Sequence, residues 1–179
     1  DACLTRDSDV LMRHVARATA AAPFFFPAAE IPGIPGHFLD GGLWANNPAL
    51  IGLTEALRFF VGPGKPFDSV QILSVGTVDE PPGRSVTKRR SLALRDGRSV
   101  FRATLTTQEQ ATDFAVKLLA VSIPIPIRYV RIPSPTVSAD QAHDIGLDVA
   151  TDPATETLLA LGHERGHTWN KHADVTPFF

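Results

Sequence analysis

The chain is poor in the residues that cross-link or staple a fold. It has one cysteine, Cys3, in 179 residues, which excludes an internal disulfide framework and a cysteine-rich zinc module. No apolar run reaches the roughly 18 residues of a membrane-spanning helix, and the mean hydropathy is only +0.02. Net charge is small as well. Lys and Arg number 17 against 19 Asp and Glu, leaving −2, too little to draw the whole chain to nucleic acid or to an anionic membrane. No basic start followed by an apolar stretch is legible as a secretory leader, and no internal repeat or low-complexity tract appears. The expectation is a cytoplasmic globular chain, one domain's worth by length. The first eight residues hold no Met and run straight toward a helix, so they read as the interior of a longer or processed polypeptide. Proline and glycine are plentiful, at 15 and 13, which predicts many turns around a scaffold with functional loops.

Along the chain, Ser8 or Asp9 is placed to cap a helix carrying Val10, Leu11, His14, Val15 and Ala18 at helical spacing. Pro23 ends it. Ala20-Ala21-Ala22 is small enough for the helix end to lie close against another backbone. Phe24-Phe25-Phe26 is expected in the core. Residues 31–36 read as a loop, and His37-Phe38-Leu39 as a short strand ending at Asp40-Gly41-Gly42. Asn47-Pro48 starts a helix with Asn as cap and Pro first inside. Gly62-Pro63-Gly64 stops it, and Val70–Val75 reads as a buried parallel strand. Strand, helix and strand in that order predict a crossover unit. Residues 79–99 read as a variable basic loop or lid. From about Val100 to Leu119 one or two helices are expected, then a strand at Ile127–Ile132. Arg128 and Arg131 are expected on the surface. A last helix starts at Asp152-Pro153 with Leu158, Leu159, Leu161 and Trp169 on its inner side.

One block carries chemistry. Asp40 sits where a strand ends, followed by two glycines that permit positive φ and close backbone approach. A carboxylate on such a turn reaches the cleft at the strand ends, where ligands bind in open α/β sheets. By itself Asp-Gly-Gly is only a tight turn. Here it follows Ala18-Thr19-Ala20-Ala21-Ala22-Pro23 and precedes Asn46-Asn47-Pro48. That order and spacing resembles the patatin-like phospholipase family, with Ala20 where the family usually has Ser. Ile72-Leu73-Ser74-Val75-Gly76-Thr77 and Tyr129-Val130-Arg131-Ile132 resemble its later strands. The resemblance implies an α/β fold: the C-terminal part of a patatin-like three-layer sandwich with a mostly parallel central sheet, residues 1–179 forming a partial hydrolase domain. It also implies a lipid acyl hydrolase with a Ser-Asp dyad, Asp40 activating the serine as general base and a glycine-rich loop forming the oxyanion hole. Gly41 and Gly42 would supply backbone geometry, and Asn46 and Asn47 support. No metal or organic cofactor is implied.

The sequence departs from the family at the nucleophile. None of the nine serines, from Ser8 to Ser138, lies in Gly-x-Ser-x-Gly, the sharp turn that presents such a nucleophile. This chain alone is therefore expected to be inactive, supplying the Asp half of a dyad whose serine lies on an upstream segment or a separate chain. A phospholipid or other glycerolipid is the expected substrate, with no nucleic-acid partner. The basic residues from Arg84 to Arg102 suit anionic head groups, giving a peripheral membrane contact. Two rival readings stand beside this one. A non-catalytic lipid-binding or scaffold remnant fits the missing serine. A zinc protease fits His163-Glu164-Arg165-Gly166-His167, a literal His-Glu-x-x-His, but Gly166 weakens its helix and no third ligand is well spaced. His14 and His37 receive no role from the sequence.

Overall fold

The computed structural model describes residues 7–78, 97–135, 137–138, 141, 145–146 and 149–179. The chain divides into two compact units, Asp1–Asn46 and Asn47–Phe179.

In the first unit, helix α1 runs Met12–Thr19. It starts later than Ser8 or Asp9 predicts, because those two residues lie in a turn closed by the Val10 N–H donating to the Asp7 carbonyl at 3.1 Å. After Pro23 the chain turns tightly, with the Phe25 and Phe26 N–H groups both donating to the Ala22 carbonyl. Phe24 takes a left-handed φ of 72°, uncommon for a bulky residue. Phe24 and Phe26 are 61% and 63% exposed. The aromatic run expected in the core is thus largely on the surface, because a turn this tight splays successive side chains outward. Strands β1 (Ala29–Ile31) and β2 (Ile34–Phe38) form an antiparallel hairpin, Ile31 opposite Ile34. Its tip is Pro32-Gly33, with Gly33 at φ 84°. That is the Pro-then-positive-φ order of a type II turn, so the stretch read as loop is a hairpin and its second strand starts earlier than expected. The core here is Ala18, Ala21, Ala29 and Ile31, flanked by Val10, Ile34 and Phe38. The small alanines do let the helix end approach a neighbouring backbone, as their size predicts. The unit closes with the short helix α2 (Gly42–Ala45).

In the second unit, α3 (Ala49–Glu55) continues into a π-helical turn, Ala56–Phe60. The Lys65 ammonium donates to the Leu57 and Arg58 carbonyls at its end, which satisfies acceptors a helix end leaves open. Strand β3 (Val70–Val75) pairs in parallel with β4 (Ile127–Ile132), Val70 opposite Ile127 and Val75 opposite Ile132. Helix α4 (Gly97–Ser122) connects them, so residues 97–99 are helical rather than loop. The crossover therefore differs from the one predicted: β2 pairs with β1, and the parallel connection runs through α4. The α/β character is as expected, with a small parallel sheet among the described residues. Leu53 and Val116 are fully buried where α3 and α4 meet the sheet, with Ala49, Val61 and Val70 around them. Helix α5 (Asp152–Trp169) is capped by Thr151, whose hydroxyl accepts the Ala154 N–H at 3.4 Å. Leu158 and Leu159 are exposed, against the inner positions expected for them, while Leu161 and Trp169 are half-buried. No helix among the described residues is long and apolar enough to cross a membrane.

Candidate active site

Two sequence motifs meet in the first unit through backbone hydrogen bonds. The Asp40 N–H donates to the Ala21 carbonyl at 2.9 Å, and the Gly41 N–H to the Thr19 carbonyl at 3.1 Å. The end of α1 and the Asp-Gly-Gly turn are thereby locked in register. Asp40 follows β2 directly after Leu39 and is half-buried. Its Oδ1 accepts the Gly42 N–H at 2.6 Å, and its carbonyl accepts the Leu43 N–H at 3.1 Å. The Asp side chain thus closes an Asx turn just ahead of α2. One carboxylate oxygen is fixed by that bond, which sets the direction of the other.

The two glycines are required for space. Gly41 has an ordinary φ of −59°, and neither glycine has positive φ, so the conformational freedom expected of them goes unused. The close approach is real. A Cβ on Gly41 would lie 2.9 Å from Thr19 Oγ1, and one on Gly42 would lie 2.9 Å from Asp40 Oδ1 and 3.5 Å from Asn46 Oδ1. Asn46 therefore sits beside the turn that holds the carboxylate.

Asn47 is 4% exposed. Its Oδ1 accepts the Ala49 N–H at 3.1 Å in an Asx turn, while the N-cap position of α3 falls on Pro48 rather than on Asn47 as expected. Its amide nitrogen is buried without a hydrogen bond of ordinary geometry. That amide still lies close enough to Tyr129 to favour the phenolate. Burial outweighs it and pushes the Tyr129 pKa up, and Asp113, which accepts the phenol O–H at 2.9 Å, adds to the rise.

Sequence reasoning missed a polar cluster between α4 and the sheet. Arg131, expected on the surface, is 14% exposed and paired with Glu109, itself 13% exposed. Its guanidinium also donates to Ser74 Oγ at 2.6 Å. Ser74 and Arg131 sit opposite each other in the parallel register, and Glu109 comes from α4. The Asp113 carboxylate is shared by Tyr129 and Lys117, the latter at 2.7 Å. No sequence signal marks this cluster, because its members come from three separated elements. Arg128 is exposed, its guanidinium 6.0 Å from the centre of the Phe178 ring.

The zinc motif lies on α5, which runs unbroken through Gly166. His163, Glu164 and His167 are all exposed. No three His, Cys, Asp or Glu side chains among the described residues gather as a metal site requires. The basic loop falls mostly at 79–96, outside the described residues, as do the side chains of Arg98 and Arg102.

Comparison with known proteins points one way. A family profile described as patatin-like phospholipase matches residues 4–53, the stretch that holds α1, the hairpin and the Asp40 turn. A cGAMP-activated phospholipase of Vibrio cholerae is 30% identical, over 97% of this chain and 51% of that protein. One from Escherichia coli is also 30% identical, over 89% of this chain and 47% of that protein. Patatin-like protein 2 of Arabidopsis thaliana is 23% identical over 87% of the chain and 43% of the relative. The chain spans about half the length of the relatives it matches. No solved structure matches it.

Proposed function

This chain belongs to the patatin-like phospholipase family, and from that membership we propose that residues 1–179 are part of a hydrolase domain that cleaves acyl esters of phospholipids or other glycerolipids. Asp40 is its general base. The observation that carries this reading is the fixed carboxylate: a strand-end Asp, held by backbone bonds to the end of α1 and by the Gly42 N–H on one oxygen.

The chemistry follows from that geometry. The remaining Asp40 oxygen accepts the proton of a serine hydroxyl as its oxygen attacks the ester carbonyl. The tetrahedral intermediate collapses, the C–O bond to the glycerol oxygen breaks, and the Asp40 proton goes to that leaving oxygen. Water then attacks the acyl-enzyme, gives its proton to Asp40, and the fatty acid departs as the proton returns to serine. The serine is supplied by polypeptide beyond these 179 residues, since none of the nine here has the nucleophile turn. Without it, this chain alone has no turnover.

The test uses a polypeptide that holds both this chain and a Gly-x-Ser-x-Gly serine. Two relatives are named for activation by cGAMP, so fatty-acid release from phospholipid is measured with and without that nucleotide. Asp40→Asn is expected to lower turnover by at least about a hundredfold while the circular dichroism spectrum stays unchanged. Undiminished turnover removes Asp40 from the mechanism. A second reading, a lipid-binding remnant without catalysis, rests on the same missing serine. It is favoured if no such polypeptide hydrolyses lipid while vesicle binding persists.

A further inference from the structure

A second feature of the first unit has no part in the mechanism above. An open groove of about 640 Å³ lies between α1 and the β1–β2 hairpin, within the size range of small-ligand sites. Its α1 wall carries His14 and Arg17, three residues apart and so on one helix face. Its hairpin wall carries Glu30 and His37, and Ile31 and Ile34 contribute apolar surface. The groove thus holds one permanent cation and two imidazoles against one carboxylate. That carboxylate is already engaged, with Glu30 Oε1 3.4 Å from His37 Nδ1. Arg17 has no carboxylate partner among the described residues.

We propose that this groove binds a phosphate group, with Arg17 as the principal ligand and His14 and His37 beside it. A planar guanidinium offers two parallel N–H donors that match two oxygens of a tetrahedral anion. A neutral His14 offers one further N–H, whereas His37, whose Nδ1 faces Glu30, presents an Nε2–H to an anion only in its protonated form. Glu30 and His37 are both largely exposed, so water screens the carboxylate's repulsion of an anion. The groove is also tied to the Asp40 turn. The helix that carries Arg17 ends at the carbonyl that accepts the Gly41 N–H, and the strand that carries His37 leads through Leu39 to Asp40. The phosphate has two possible sources: the head group of a lipid or a water-soluble phosphate ester. The lipid source rests on the acyl-hydrolase reading, whereas phosphate binding itself does not.

The experiment titrates the same complete polypeptide with glycerol phosphate, following the imidazole NMR signals of His14 and His37, and separately measures cosedimentation with phosphatidylglycerol vesicles. Saturable shifts of both imidazoles are expected, weakened at least about tenfold by Arg17→Gln, partly restored by Arg17→Lys, and unaffected by Arg13→Gln, a residue of α1 that does not line the groove. If only vesicle binding depends on Arg17, the proposal stands with the lipid as source. If neither ligand's binding depends on Arg17, or if the imidazoles do not respond to either, the groove is no phosphate site. Asp40→Asn is measured in parallel and is expected to keep phosphate binding while losing turnover. Turnover retained in that variant would sink the dyad and leave the groove result intact.

Discussion

At the scale of single residues, the Asp40 turn is a matter of a few ångströms. The Gly42 N–H holds one carboxylate oxygen, and the space above Gly42 is all that keeps a side chain off that oxygen. In a polypeptide that also holds the serine, with Asp40 as the proposed general base, Gly42→Ala is therefore expected to swing the carboxylate away and lower turnover by about a hundredfold, the usual effect of a displacement near 1 Å at a reacting group. Stability should change little, because the turn is half-exposed. Comparing kcat with the midpoint of thermal unfolding separates the two effects. Gly41→Ala acts differently, since its Cβ strikes Thr19 Oγ1. Thr19→Ala in the same chain should restore most of the lost activity. The sequence made Asp40 legible because the residues around it form a dense local pattern. Of the two reasons the sequence offers for the glycines, close approach holds and positive φ does not, because Asp-Gly-Gly reads equally as either. Tyr129 gives a second test, made simple because it is the chain's one tyrosine. Burial raises its pKa. On raising pH past the ordinary tyrosine range, the unfolded chain therefore releases the phenol proton while the native chain keeps it. The native state then binds more protons, so stability falls as pH climbs through that window. A spectrophotometric titration should show Tyr129 ionising later than free tyrosine.

At the scale of elements, two kinds of contact hold the second unit. Buried Asn47 accepts the Ala49 N–H at the start of α3, and Asn47→Ala should cost about 1 kcal/mol from that bond, read as a lower midpoint in urea. The Arg131–Glu109 pair bridges β4 and α4 with little exposure. Glu109→Ala leaves the guanidinium buried without its carboxylate and is expected to cost about 3 kcal/mol. Replacing both by methionine should recover most of that, because the lone charge is what is expensive. Local signals such as Asn-Pro, Asp-Pro and short β-branched runs made α3, α5, β3 and β4 readable. The pairing of β1 with β2 was not readable, since Pro32-Gly33 looks like any loop until the flanking strands are seen to face each other. Arg131 looked like a surface group for the same reason: its partners lie far away in sequence.

At the scale of the whole molecule, the described residues leave many large apolar side chains in contact with solvent. Met12, Trp44, Phe114, Leu118 and Val121 are among them, the last three spaced along one stripe of α4 as i, i+4 and i+7. Surfaces of this kind associate in water. The 179-residue chain by itself is expected to bind a hydrophobic dye and to elute in gel filtration at a volume that falls with concentration. Phe114→Glu combined with Val121→Glu should reduce both effects. The α/β class and the family pattern could be read from the sequence. The division of contacts at Asn46 and Asn47 could not, because it falls inside the Asn46-Asn47-Pro48 motif, which reads as one continuous stretch.

The parallel ladder has a consequence for biosynthesis. Among the described residues Val70 pairs with Ile127, so as the chain leaves the ribosome β3 emerges well before β4 exists. The hairpin, whose strands are separated by two residues, closes almost as soon as it appears. Translation thus completes the scaffold around Asp40 while β3 still waits, and a nascent-chain chaperone has most to protect in the interval when α4 is being made.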